Sequence, residues 1–277
     1  MADHKSVDSA DPTSEQLTID ELKPGKRLLG LALDIEGTTA TGETLAPSDL
    51  GKLTGDLFDE QRFNTPIGFW HSHSRIHYGT VEKTLPQAGA TRLALFIPMW
   101  VEGAGLSTVP ITEKSVLDFD FDFDTDTLST RFNGDGAEAE VSAIYADDVP
   151  SDYLPDFKKT ALQFQAATDQ GETYDGGNVP ALYVREAASN TNSDIVKRVD
   201  AQADNKDLVS KLDLQKIDTA STILAETESP VEPWKFIDAT SGPADAGGWR
   251  NGSVSIDVTT NAAGEVQVIR GQRVAYQ

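Results

Sequence analysis

Cysteine is absent from the 277-residue chain, which excludes disulfides, thiolate metal sites and a cysteine nucleophile, and leaves the redox compartment undetermined. Cationic side chains are scarce: 23 Lys and Arg stand against 45 Asp and Glu, for a formal net charge of −22. A surface of that sign repels phosphates before local contacts can help, so direct nucleic-acid binding is disfavoured. Long apolar runs are missing too. None approaches the roughly 18 residues of a membrane-spanning helix, and Met1-Ala2-Asp3-His4-Lys5 lacks the basic-then-apolar order of a signal peptide. The chain therefore reads as soluble. Phosphate-binding and hydrolase signatures are absent as well: there is no Gly-x-x-x-x-Gly-Lys-Ser/Thr, no glycine fingerprint in a βαβ unit and no Gly-x-Ser-x-Gly.

Acidic residues are abundant, and they are spread along the whole chain with Asp outnumbering Glu. An acidic interaction tail would concentrate them. Dispersed carboxylates with few Lys resemble the composition of proteins from salt-saturated cytoplasm or brine, where hydrated carboxylates keep the surface wet and salt screens their repulsion. A halophilic origin is therefore expected, with unfolding in dilute buffer.

Residues 1–25 carry Asp, Ser, Thr and Pro with few large apolar side chains, which predicts a flexible N-terminal arm. Ordered sequence begins at residue 26, where Leu29, Leu31, Leu33 and Ile35 alternate with small or charged neighbours as in a half-buried strand. The spacing of Leu50, Leu53, Leu57 and Phe58 predicts one short helix over residues 45–58. Strands are expected at 67–78, 93–101, 115–126 and 141–145. A helix is expected at 157–167, a weakly helical stretch at 194–199, and further strands at 181–184, 208–217, Ile223 and 234–237. Residues 252–270 form the clearest hairpin pattern, two alternating strands about a turn bearing Gly264. Many short strands with turn signals and no βαβ alternation predict a mainly-β fold: a single jelly-roll barrel or sandwich with a short helix and an inserted or projecting second β element. The expected boundaries are an arm at 1–25, a jelly-roll body at 26–155, an insertion or additional β element at 156–250, and a C-terminal hairpin at 251–277 completing a sheet. No repeat at a fixed period is visible.

Three constellations invite chemistry. Gly68-Phe69-Trp70-His71-Ser72-His73, followed by His77, would place three imidazoles on one face of a strand, where they could hold a metal. The motif resembles the zinc site of JAMM isopeptidases. That family implies a Ser and an Asp further on, and Val81 and Thr84 occupy those positions here. A cupin would use a His-x-His with a later acid such as Glu82, but no second histidine block exists. Asp118, Asp120, Asp122, Asp124 and Asp126 suggest a calcium loop, yet position twelve from the first three is Ser129, Arg131 or Asn133, so no register supplies the terminal acid. Period two instead puts Phe119, Phe121 and Phe123 on a core face, with weak cation binding along the Asp ladder left open. A sugar-binding sandwich displaying Trp234 and Trp249 is a further alternative. Gly242, Gly247, Gly248 and Gly252 around Trp249-Arg250 read as a loop.

The order of elements resembles the upright, single-jelly-roll major capsid proteins of membrane-containing icosahedral viruses, especially the sphaerolipoviruses of haloarchaea and their Thermus-phage relatives. The carrying residues are Arg27 to Thr38 as a first strand ending in Gly-Thr, Leu45 to Phe58, Leu93 to Trp100 with its Ile97-Pro98, and Val141 to Pro150. The resemblance spans residues 26–155. It implies a non-enzymatic shell subunit in the virion of a halophilic virus, assembled in the host cytoplasm, with other capsid subunits as partners and a shell lying against an internal membrane. No cofactor, small-molecule substrate or metal is expected. The alternative is a metal-dependent hydrolase using His71, His73 and His77.

Overall fold

Alternating apolar and polar side chains dominate the first half of the sequence, and the structure turns them into strands that bury one face. The computed structural model describes residues 3–79, 90–114, 116–132, 136–175, 178–192, 194–204, 206–217, 233–240 and 252–275. The chain divides into two compact units: one runs to Leu154 apart from Val101–Gly105, and the other combines Val101–Gly105 with Pro155–Val274.

The first unit contains β1 (Asp3–Ala10), β2 (Leu17–Ile19), β3 (Arg27–Thr38), β4 (Lys52–Leu57), β5 (Glu60–Pro66), β6 (Ala90–Pro98), the two-residue β7 (Val109–Pro110), β8 (Leu117–Asp122) and β9 (Glu138–Tyr145). One sheet has the order β1-β9-β3-β6, with β7 paired to the start of β3, and the other contains β2-β8-β4-β5. With β7 set aside, the first strand lies beside the eighth, then come the third and sixth. In the second sheet the second lies beside the seventh, followed by the fourth and fifth. This is jelly-roll connectivity. Leu31, Leu33 and Ile35 of β3 and Phe119 and Phe121 of β8 are buried, each large side chain contributing roughly 1.5–3 kcal/mol.

The second unit contains β10 (Tyr153–Phe164), β11 (Asp169–Asp175), β12 (Ala181–Glu186), β13 (Val196–Ala203), β14 (Lys206–Leu212), β15 (Lys235–Asp238), β16 (Ser253–Thr260) and β17 (Gly264–Ala275). Its sheets run β10-β17-β12-β15 and β11-β16-β13-β14, which is the same strand order over again. The second β element expected from the sequence is thus itself a complete jelly roll. Its core joins Leu182 and Val184 from one sheet to Val199, Ile256 and Val258 from the other.

Several local expectations give way to physical reasons visible in the structure. Residues 45–58 are not one helix: Pro47–Asp49 makes a single 3-10 turn, closed by the Asp49 carboxylate accepting from the Ala46 amide at 3.0 Å. Gly51, at φ 92°, then turns the chain into β4, where Leu53 and Leu57 satisfy a period of two as well as they would a helix. Residues 67–78 form the helix α1 (Ile67–Tyr78) and not a strand. The stretches 157–167 and 194–199 fall mainly in β10 and β13, where Phe157, Leu162 and Val199 are buried. Asp3–Ala10 is not loose on its own body but pairs antiparallel with β9. Most instructive is the pattern at 252–270, because β16 and β17 do not pair with each other. β16 pairs with β11 and β13, whereas β17 pairs with β12 and lies beside β10. Val254, Ile256 and Val258 of β16 and Val266 and Val268 of β17 recur every second residue because they face the same core, from opposite sheets. Ile223 and Trp249, with its neighbouring glycines up to Gly248, lie outside the described residues.

Candidate functional site

The histidine-bearing segment was the strongest chemical lure in the sequence, and its geometry follows from what precedes it. Pro66 cannot extend the β5 ladder as a donor, and with extended backbone (φ −61°, ψ 139°) it stands at the start of α1. The helix lies against the 3-10 turn, where a Cβ on Gly68 would collide with the Pro47 carbonyl oxygen. Trp70 is fully buried, and its indole nitrogen donates to Thr65 Oγ1 at 2.9 Å. Its ring meets Phe63 at 5.9 Å and Phe69 at 4.7 Å between centroids. Ser74 ties the helix to β6, the outer strand of its sheet. The Phe96 amide donates to Ser74 Oγ at 2.8 Å, and the hydroxyl lies 2.7 Å from the Trp70 carbonyl oxygen and 3.2 Å from that of Phe96. One side chain thereby occupies backbone groups that an open sheet edge would present to another chain.

Helical geometry disperses the imidazoles. Residues two apart on a helix point about 200° apart, so His71 and His73 cannot share a site, whereas His73 and His77, four apart, face the same way. Their ring centroids are 4.6 Å apart. His73 is fully buried, with Phe69 at 5.7 Å, Trp70 at 5.3 Å and Tyr78 at 5.8 Å between ring centroids. Burial pushes its pKa well below 6.5, and the His77 imidazole adds to this. Burial likewise brings His77 to about 4. His71 is also brought to about 4, by burial first and by the Arg75 charge second. These are neutral rings in an aromatic layer. The three-imidazole face expected of a strand does not form, and among the described residues no group of three or more His, Asp or Glu side chains is placed to hold a metal. Glu82, Val81 and Thr84 lie outside the described residues.

The Asp ladder of β8 has the two faces its alternation implies. Phe119 and Phe121 are buried, while Asp120 and Asp122 are exposed. On the outer face Asp118 pairs in register with Asp56 of β4, and Thr18 Oγ1 donates to Asp120 at 2.7 Å. Partial burial, with the charges of Asp120, Asp20 and Asp56, raises the Asp118 pKa. Asp124 begins the short helix α2 (Thr125–Arg131), its carboxylate accepting from the Thr127 amide at 3.1 Å.

In the second unit Trp234 is fully buried beneath the Arg185 guanidinium, 4.5 Å from the ring centroid, and so is not displayed to a sugar. Burial lowers Arg185 to about 10, against an opposing pull from Glu265. A cavity of about 610 Å³ is lined in part by Glu186, Asp194, Asp213 and Lys235. Two of its carboxylates are already engaged: Glu186 accepts from the Val196 amide at 2.7 Å, and Asp213 from the Lys216 amide at 2.8 Å. The edge-covering role of Ser74 was not anticipated from sequence, because it depends on the helix that the aromatic run disguised.

The sequence matches no family model and no curated protein. Solved structures are similar over nearly the whole chain. The major capsid protein of bacteriophage PM2 has 12% identity and a TM-score of 0.65, with 100% of this chain and 98% of that one covered. PBCV-1 VP54, fitted into a reconstruction of the virophage Sputnik, has 8% identity and a TM-score of 0.64, covering 99% and 93%. The STIV MCP has 9% identity and a TM-score of 0.63, covering 99% and 94%. At these identities the likeness is one of fold.

Proposed function

We propose that this chain is a structural shell subunit of a halophilic icosahedral virus, residing in the virion, where it packs against other capsid subunits around an internal membrane. The observation that carries the reading is the repetition of one jelly-roll strand order along the chain, together with similarity to major capsid proteins over almost the full length of both partners. A shell subunit needs a rigid β body and polar lateral faces, and no catalytic pocket. α1 supports this: its aromatic side chains and imidazoles fill space, and Ser74 protects a sheet edge.

Halophily and the membrane rest on composition and on the family resemblance. A net charge of −22 drives subunits apart in dilute buffer and is screened in brine. The metal-dependent hydrolase finds no support in α1, whose helical spacing separates His71 from His73.

The test is to sediment particles from the native culture in molar salt and measure this chain's abundance by mass spectrometry. The reading expects it among the main components of uniform, lipid-containing particles that dissociate on dilution. A low-copy protein confined to the soluble cell fraction would overturn it.

A further inference from the structure

The same topological position is built very differently in the two jelly rolls. As the first strand of the second unit, β10 sinks Phe157, Leu162 and Phe164 into the interior. As the first strand of the other, β1 buries none of its eight side chains: only Val7 and Ala10 are even partly covered, and the rest are exposed. It is polar on both faces, lies at the outer edge of its sheet, and its pairing with β9 is irregular between Ser6 and Asp8. An edge strand that is polar on both sides is held chiefly by its backbone ladder, so its choice of partner is weakly specified.

The connection supports the same conclusion. Beyond β1, Gln16 is fixed to the body, its side chain bonded to both the amide and the carbonyl of Phe123, and Leu17 and Ile19 of β2 are buried. Between them lie local hydrogen bonds, with Pro12 buried: the Ser14 and Glu15 amides donate to the Asp11 carbonyl at 3.1 and 2.9 Å, and the Thr13 amide to the Asp11 carboxylate at 2.9 Å. Opened out, residues 11–16 would reach about 20 Å.

We propose that β1 is an exchangeable strand: on assembly, residues 3–10 leave β9 of their own chain and pair with β9 of a second copy. The inference rests on the shell reading above. A second copy is the fitting occupant because the exchanged ladder repeats the same register, Asp3 opposite Tyr145 through Ala10 opposite Ala139. It also restores the charge of Asp3 near Lys26, whose ammonium is held above its usual pKa mainly by the hydrogen bond to Asp147. The backbone ladder broken within one chain is rebuilt between two, so the balance is set by the hinge and by subunit concentration.

The absence of native cysteine makes the test direct. Ser9 and Glu140 are register partners, both exposed. Full-length Ser9→Cys and Glu140→Cys variants would be mixed in molar salt, assembled and mildly oxidised, then analysed by non-reducing gel and linked-peptide mass spectrometry. Exchange predicts mixed dimers joined between the two substituted positions, in a yield that rises from none in dissociated subunits. Particles that give no mixed dimer, while a chain carrying both substitutions closes its disulfide internally, would overturn the exchange and leave the shell reading standing. Failure of the wild-type chain to form particles at all would overturn the shell reading, and the exchange with it.

Discussion

Acidification between about pH 7 and about pH 5 should weaken this protein through its imidazoles, before most carboxylates begin to protonate. Burial holds His73 well below 6.5 and His77 at about 4, whereas both titrate near 6.5 in the unfolded chain. The folded values are the lower ones, so the stability is complete above roughly pH 6.5 and drains away as the pH falls toward about 4, where only the unfolded chain takes up the proton. Over this interval a His77 ring that stays neutral costs at most about 2 kcal/mol. His73, buried and shifted in the same direction, adds to that loss, against a net stability of roughly 5–15 kcal/mol. His71 acts in the same direction, and partial exposure lets solvent screen both it and His77. The assay is urea unfolding followed by tryptophan fluorescence at stepped pH, in molar salt to suppress carboxylate repulsion. His77→Gln removes one titrating ring, and its stability should fall less across the interval, by at most about 2 kcal/mol. A wild-type profile flat over the same range, or a His77→Gln profile parallel to wild type, would refute the reasoning.

Removing the Ser74 hydroxyl should cost about 1–3 kcal/mol, since the Phe96 amide loses the acceptor it has there. Ser74→Ala should also scatter more light on standing as the β6 edge opens, and unchanged unfolding together with unchanged scattering would contradict the edge-covering role. Asp118→Asn relieves like charge from Asp120, Asp20 and Asp56. It should stabilise by about 0.2–1 kcal/mol in dilute buffer and by less in molar salt. A thermal melt showing equal gain in both would argue against electrostatics.

What could be read from sequence was whatever a single period determines. Phe119 and Phe121 between aspartates, and Leu31, Leu33 and Ile35 between small or charged residues, admit one arrangement, and the structure has it. Ambiguity arose where two periods fit the same residues. Leu53 and Leu57 suit a helix or a strand, and Gly51 with its positive φ decides for the strand. At 67–78 the aromatic residues favour extended structure by propensity, yet burial of Ile67, Trp70 and His73 follows helical spacing. That spacing also dissolved the candidate metal site, because the proposed convergence needed a strand. The duplication escaped notice for a different reason. The two jelly rolls repeat a connectivity, with loops of unequal length between the strands, so no fixed residue period records it.

The position of β17 carries a consequence for how the protein is made. Residues 264–275 form an inner strand, flanked by β10 and β12, and β10 was synthesised long before them. The second unit therefore stays open on the ribosome until these residues emerge, and such distant pairing is slow to form. A chain stopped short of them would not lose a peripheral ribbon; it would leave a gap between two strands whose free edges invite aggregation. The second jelly roll thus closes only once β17 has been made.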